Sequence, residues 1–371
     1  MRFVKLATSI AAVALLAACG GGDIMTTTSV RVAGDSLSDS GTFGFRFTVQ
    51  GSATAPLPIW TEVVAQGVGV SALCARNVAT SASTVVLNPS AVACTSHAVG
   101  GARINPIGTA NDTTPFSVVQ QLTNLAADAT FKETELLLVN GGGNDLADLV
   151  GAFLAISTDN GAAYTSLLAE LGITPTANTP EALAQAGVAY ATALADKLVA
   201  AIDSQALSQG ARRVVVLNAP DIIKTPRFQQ VLAGVSATAG APAAAQVAVV
   251  AGQWVQAFNG RLSSQLANRP TVAVVDFFNE FNTWIAIPAN HGLTNTSTPA
   301  CPVTGRDSIG LPTYSIQSCS AQSLSASPPA GSADANWWRT FVFSDNFHGT
   351  PKTNELMGNL VLQTLNAKGW R

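Results

Sequence analysis

Charge is scarce in this chain of 371 residues: Asp, Glu, Lys and Arg together make up 11%, and the net charge is −3. No basic stripe exists, so there is no electrostatic footprint for nucleic acid. Histidine occurs three times and cysteine five times. Cys94 with His97 lacks a second pair of ligands at close spacing, so a zinc site is not supplied and no metal is implied. The string G-x-S-x-G is absent, which excludes the nucleophile elbow of the α/β-hydrolases. VNGGGND does not complete G-x-G-x-x-G and no positioned ribose acid follows, which argues against a dinucleotide cofactor. No internal repeat is present, and the low-complexity stretches are short and Ala-rich.

What the chain has in quantity is apolar residues, 47% of the total, enough for a substantial core. The first of them read as an address. Arg2 and Lys5 precede LATSIAAVALLAA, a run too short to cross a bilayer as a mature helix. It ends in Leu16-Ala17-Ala18-Cys19, which resembles the lipobox of bacterial lipoproteins, where the cysteine is lipidated. The alternative is an ordinary secretory signal ending near a cysteine. The expected organisation is a signal peptide over 1–19, a tether over 20–28 and one domain over 29–371. The resemblance implies export, to the outer membrane as a lipoprotein anchored through Cys19, or to the periplasm or exterior. Without Cys19, an even set of cysteines remains, as an oxidising compartment favours. Of the three possible pairings, local bridges Cys74–Cys94 and Cys301–Cys319 are expected, each stapling a Ser/Thr/Pro/Gly-rich excursion and each stabilising by about 3 kcal/mol in the chain-entropy account.

Short Val- and Leu-rich runs ending in polar or glycine turns predict strands at 29–35, 134–143, 212–220, 271–277 and 339–345. Continuous apolar runs suit strands buried on both faces. Helical spacing occupies 59–69, 116–129, 144–157, 181–207, 241–267 and 353–367. The alternation predicts a three-layer α/β/α sandwich with a central parallel sheet of about five strands, and function at the carboxyl ends of the strands. Segments 70–98 and 287–337 break this rhythm and are expected to be insertions.

The first strand ends in VRVAGDSLSDSG, which places Ser36 at the turn. A serine hydroxyl needs a base, and the base needs an orienting acid. His348 follows the last predicted strand in SDNFHGTP, with Asp345 three residues before it, a spacing that lets one ring nitrogen meet the carboxylate while the other faces a nucleophile. Donors for a developing oxyanion are available at two further turns, HAVGGARI with Gly101 and VNGGGNDL with Asn144.

The order Ser, Gly, Asn, Asp-x-x-His resembles the GDSL esterases and lipases, the SGNH hydrolases, in the form of their larger secreted bacterial members. Gly34-Asp35-Ser36-Leu37 matches the first block, Ala98-Val99-Gly100-Gly101-Ala102 the second, Gly142-Gly143-Asn144-Asp145 the third and Asp345-Asn346-Phe347-His348 the last. The resemblance implies the flavodoxin-like fold of that superfamily and a serine esterase or lipase acting through an acyl-enzyme. Ser36 would be the nucleophile, His348 the base and Asp345 its orienter. The N–H groups of Ser36 and Gly101 and the Asn144 amide would form the oxyanion hole, with Gly100 as the alternative to Gly101. A small ester or lipid is the implied substrate; phospholipase, acyltransferase and polysaccharide O-acetylesterase are alternatives on the same fold, as is a binding lipoprotein without turnover. Where many members have proline after the histidine, this chain has Gly349, which moves the helix start to Thr350 as N-cap and Pro351 as first helical residue.

The neighbours have plainer readings. Ser38 and Ser40 are expected to make turn bonds or lie on the loop surface, and His291 to be exposed. His97 is expected to be structural, with a place on the pocket wall as the alternative. Asp35 and Asp145 should support turns. Trp337-Trp338 should be core rather than an acyl-facing wall.

Overall fold

The computed structural model describes residues 26–71, 73–108 and 113–371. The expected leader, Cys19 and the glycines that follow it lie outside these. The chain enters through strand β1 (Ser29–Ala33) and helix α1 (Trp60–Gly67), then forms a hairpin of β2 (Asn77–Ser81) and β3 (Thr84–Leu87). Helix α2 (Val118–Asp128), strand β4 (Glu135–Asn140) and helices α3 (Gly143–Leu154), α4 (Ile156–Asp159), α5 (Ala162–Ala169) and α6 (Pro180–Gln205) follow. Strand β5 (Val214–Leu217) leads to α7 (Pro226–Ala239) and α8 (Ala241–Leu266), and β6 (Val272–Val275) to α9 (Phe277–Ala286). A second hairpin, β7 (Val303–Arg306) with β8 (Pro312–Tyr314), precedes α10 (Ala321–Ala326) and the final α11 (Pro351–Ala367).

The central sheet is parallel, in the order β1-β4-β5-β6. Because side chains alternate along a strand, each strand feeds two cores. Leu137, Val139, Val214 and Val216 pack with α2, α3, α6 and α8 on one face. Leu136, Leu138, Val215 and Leu217 pack with α1, α9 and α11 on the other. The sandwich therefore has the expected three layers, and the apolar runs are continuous because neither face meets water.

The sheet has four strands rather than about five. The 339–345 run does not join it, because its backbone groups are already used. Val342 N–H donates to Asn295 C=O at 2.8 Å, Ser344 N–H to His348 C=O at 2.7 Å, and Val342 C=O accepts from Thr350 at 2.9 Å. These bonds fold the segment back on the turn that carries His348, and residues 337–340 form a 3₁₀ turn instead. At the opposite edge, 95–99 runs beside β1 without becoming a regular strand. Val32 N–H reaches Thr95 C=O at 3.0 Å, His97 N–H reaches Val32 C=O at 2.8 Å and Val99 N–H reaches Gly34 C=O at 3.1 Å, so the open edge is covered.

The six helical runs form helices close to their expected bounds, and Thr350 caps α11 by accepting from Thr353 N–H, with Pro351 at its first position. Sequence reading passed over α5, the short α10, α7 and α9. Thr225-Pro226 and Asp276 are cap signatures that could have found the last two, since both side chains accept from the backbone three residues on.

The structure joins Cys74 to Cys94 and Cys301 to Cys319. The first bridge closes the β2–β3 excursion. The second lies in a small core of its own with Val49, Ile316, Leu324 and the fully buried Trp338. Two such bridges are compatible with an oxidising compartment. No helix among the described residues is long and apolar enough to cross a membrane.

Candidate active site

Ser36 sits where β1 ends and the chain must turn sharply. The turn is built by Asp35, whose Oδ1 accepts from Leu37 N–H at 3.0 Å and from the Asn140 amide at 2.9 Å, while its carbonyl accepts from Ser38 N–H at 3.0 Å. Asn140 closes β4, so the neighbouring strand end props the turn. Burial raises the Asp35 pKa, and its hydrogen bonds and His348 oppose that rise.

His348 reaches this turn from the far end of the chain. Its Nε2 lies 2.8 Å from Ser36 Oγ, and its Nδ1 lies 2.7 Å from Asp345 Oδ2. Asp345 Oδ1 also accepts from the N–H groups of Phe347 at 2.8 Å and His348 at 2.7 Å. One carboxylate thus holds the backbone of Phe347 and His348 and orients the ring. Burial acts against charge on His348, but the charge and hydrogen bond of Asp345, with the charge of Asp35 behind them, outweigh it and raise the pKa. For Asp345 burial acts upward, and the contacts with His348 and Phe347 outweigh it, so its pKa is lowered. The pair favours an imidazolium beside a carboxylate, the state formed when a histidine takes a proton from serine. Phe47 lies against the imidazole, with ring centroids 5.0 Å apart.

The expected oxyanion donors meet the same space. Ser36, Gly101, Asn144 and His348 all line one cleft of about 290 Å³. Val99 C=O accepts from Ala102 N–H at 3.0 Å, and Gly101 has φ +79°. That is a tight turn whose third residue needs a positive φ, the conformation glycine adopts without strain. Gly100 N–H is engaged by Asp39 Oδ2 at 2.8 Å, whereas among the described residues no acceptor engages Gly101 N–H. Of the paired glycines, Gly101 faces the cleft and Gly100 does not. Asn144 opens α3 after Gly142, whose φ is +96° and whose missing Cβ leaves room for Phe258. One amide hydrogen of Asn144 goes to Ala102 C=O at 2.9 Å. Among the described residues the second meets no acceptor.

The remaining candidates lie elsewhere or serve the turns. Ser38 is buried and donates to Asn140 Oδ1 at 2.5 Å, and Ser40 is buried at 3.3 Å from Ser96 Oγ. His97 is fully buried with Nε2 2.9 Å from Asp128, outside the cleft. His291 is half-buried rather than exposed, 6.3 Å from the Trp284 ring. Asp145 accepts from Ile104 at 3.0 Å and Asn105 at 2.8 Å, and burial raises its pKa to about 6. Trp338 belongs to the core around the second disulfide. Sequence reading missed Asn140, Asp39 and Gln121, the last of which takes Gly34 N–H at 2.7 Å. A polar residue closing an apolar strand was the signal at Asn140. Among the described residues no cluster of His, Cys, Asp and Glu could hold a metal ion.

The family model described as GDSL-like Lipase/Acylhydrolase matches residues 30–361. No curated protein matches the chain.

Proposed function

Because the chain belongs to the GDSL-like lipase/acylhydrolase family, and so to hydrolases of the esterase and lipase kind, we propose that it hydrolyses carboxylic esters through an acyl-serine intermediate. The observation that carries this reading is the line of contacts from Asp345 through His348 to Ser36, ending in a cleft with unspent donors. Ser36 Oγ attacks the ester carbonyl carbon as its proton passes to His348 Nε2. The carbonyl oxygen takes up the electron pair and is met by the N–H groups of Ser36 and Gly101 and by the Asn144 amide. Collapse expels the alcohol, which leaves with the proton from His348. Water, deprotonated by His348, then attacks the acyl group, and Ser36 departs with that proton to regenerate the hydroxyl.

The cleft also supports a class of acyl group. Its walls include Leu37, Phe47, Leu217, Ala219, Ile222 and Phe347, and among the described residues no charged side chain faces it apart from Asp35 and His348. An uncharged, apolar acyl chain fits such walls, each buried methylene contributing about 0.8 kcal/mol. The cleft, about 290 Å³ and partly open to solvent, seats the first several carbons of such a chain. We take short to medium acyl esters as substrates, and an exported location, with Cys19 as the anchor, as the setting.

The test is hydrolysis of a chromogenic ester series from acetyl to palmitoyl by the purified mature chain, with Ser36→Ala beside it. We expect a maximum at roughly four to eight acyl carbons, set by the volume of the cleft, and loss of turnover in the variant. Turnover by Ser36→Ala at the wild-type rate would overturn the assignment, and a maximum at palmitoyl would overturn the acyl class.

A further inference from the structure

Building on the proposed esterase reading, we propose that Arg103 is a positioning residue that holds the Gly101 N–H in register with the Asn144 amide, by clamping the Gly101 turn to α3. Arg103 Nη1 donates to Gly101 C=O at 2.7 Å, while Nε and Nη2 form a fork on the Asp148 carboxylate, with Nη2 to Oδ1 at 2.9 Å. Asp148 lies four residues after Asn144 on α3, so the two project from the same side of the helix. One guanidinium therefore ties together the two chain segments that carry the oxyanion donors.

The tie has a specific task because of the turn it grips. Gly101 N–H belongs to the central peptide of the Val99–Ala102 turn, the peptide that takes no part in the turn's own hydrogen bond. Glycines on both sides let that peptide reorient when its flanking peptides shift, and a reoriented N–H would leave the cleft. Its two neighbouring peptides are pinned from outside the turn. Asp39 holds Gly100 N–H at 2.8 Å on one side, and Arg103 holds Gly101 C=O on the other. Ala102 C=O accepts from Asn144, so the loop joins the helix at a second point.

Arg103 lines a separate surface depression with Ala82, Ser83 and Ile107 and does not face the cleft, so it touches no reacting atom. Its planar fork is what the arrangement requires. A lysine keeps the charge but cannot bind both carboxylate oxygens and the carbonyl in fixed directions.

The test is steady-state kinetics of Arg103→Lys and Asp148→Asn on the best ester of the series, alone and combined with Asn144→Ala, with thermal melts alongside. We expect kcat of Arg103→Lys to fall by roughly tenfold to a hundredfold. KM should stay within about twofold and the pH of the acid limb should be unchanged. In the Asn144→Ala background the same change should cost several times less, because the two donors act on one oxygen. Wild-type kcat in folded Arg103→Lys and Asp148→Asn, or losses that simply multiply with that of Asn144→Ala, would overturn the proposal. Asp148→Asn serves if Arg103→Lys melts early. Ser36→Ala run in the same assay keeps the outcomes apart: if it remains active the esterase reading fails, and if it is inactive while Arg103→Lys is unimpaired only the clamp fails.

Discussion

Two histidines in this molecule each touch a carboxylate, His97 fully buried and His348 half-buried at the cleft, and their pKa values move in opposite directions. His348 lies 2.7 Å from Asp345 and its pKa is raised, while His97 lies 2.9 Å from Asp128 and its pKa is pushed down to about 4. Burial lowers both. At His97 burial dominates, Asp128 opposes it, and the nearby charges of Arg76 and Arg31 reinforce it. At His348 no arginine stands among the contributors, and a second carboxylate, Asp35, adds to Asp345. The second ring nitrogen differs as well. His348 Nε2 meets Ser36, whereas His97 Nδ1 is buried without a partner. A histidine–carboxylate contact is therefore no sign of base chemistry by itself. What distinguishes the pair at the cleft is a stabilised imidazolium and a hydroxyl within reach of the free nitrogen.

The sharpest way to break the comparison is to make His348 resemble His97. Asp345→Asn should lower kcat/KM by roughly a thousandfold or more, since the ring loses its orienting charge. In the proposed mechanism the base must be neutral to accept a proton, so wild-type activity should fall as pH drops through the raised His348 pKa, with an acid limb above the ordinary imidazole value near 6.5. In Asp345→Asn the burial remains while the main opposing charge is gone, and the residual activity should show its acid limb at lower pH. A limb that stays in place would mean that Asp345 does not set the pKa.

The next effect is on stability. His97 is neutral in the fold, with a pKa depressed from 6.5 to about 4, so its contribution is complete above pH 6.5 and is lost as pH falls toward 4. The gap corresponds to about 3 kcal/mol. Urea titrations of wild type and His97→Gln across that window should show the wild type losing stability on acidification and the variant losing correspondingly less. Equal slopes would remove His97 as the source. The smallest effect is expected at its partner. Asp128→Asn should leave kcat/KM within about twofold at neutral pH, because this pair touches no part of the cleft and replacements away from such features change little. A hundredfold loss there would erase the distinction between the two pairs.

Much of the architecture was legible because it is local. Strands β4, β5 and β6 carry continuous apolar runs, β1 carries one interrupted by Arg31, and α6 and α8 are long enough for their spacing to be unmistakable. The run at 339–345 misled because Phe341, Val342 and Phe343 have strand composition, yet composition does not say which acceptors a segment will find. Its partners, Asn295 and Thr350, come from an insertion loop and a helix cap. The Asp345–His348 turn was readable since three residues suffice to place carboxylate and ring. Asn140, Gln121 and Asp39 were not, because each acts on a segment 40 or more residues away, as in the contact of Asn140 with Asp35 across 105 positions.

The order of apolar runs and turns, the four short blocks and the parity of the cysteines follow from the sequence by itself, since each rests on residues close together in the chain. Tertiary structure alone decided that the sheet stops at four strands, that Gly101 rather than Gly100 faces the cleft, and that the pKa values of His97 and His348 move in opposite directions. Hydrogen-bond acceptors can be used up and charges can be brought near only after folding. What a backbone N–H or an imidazole is free to do is set by the segments that packing places beside it.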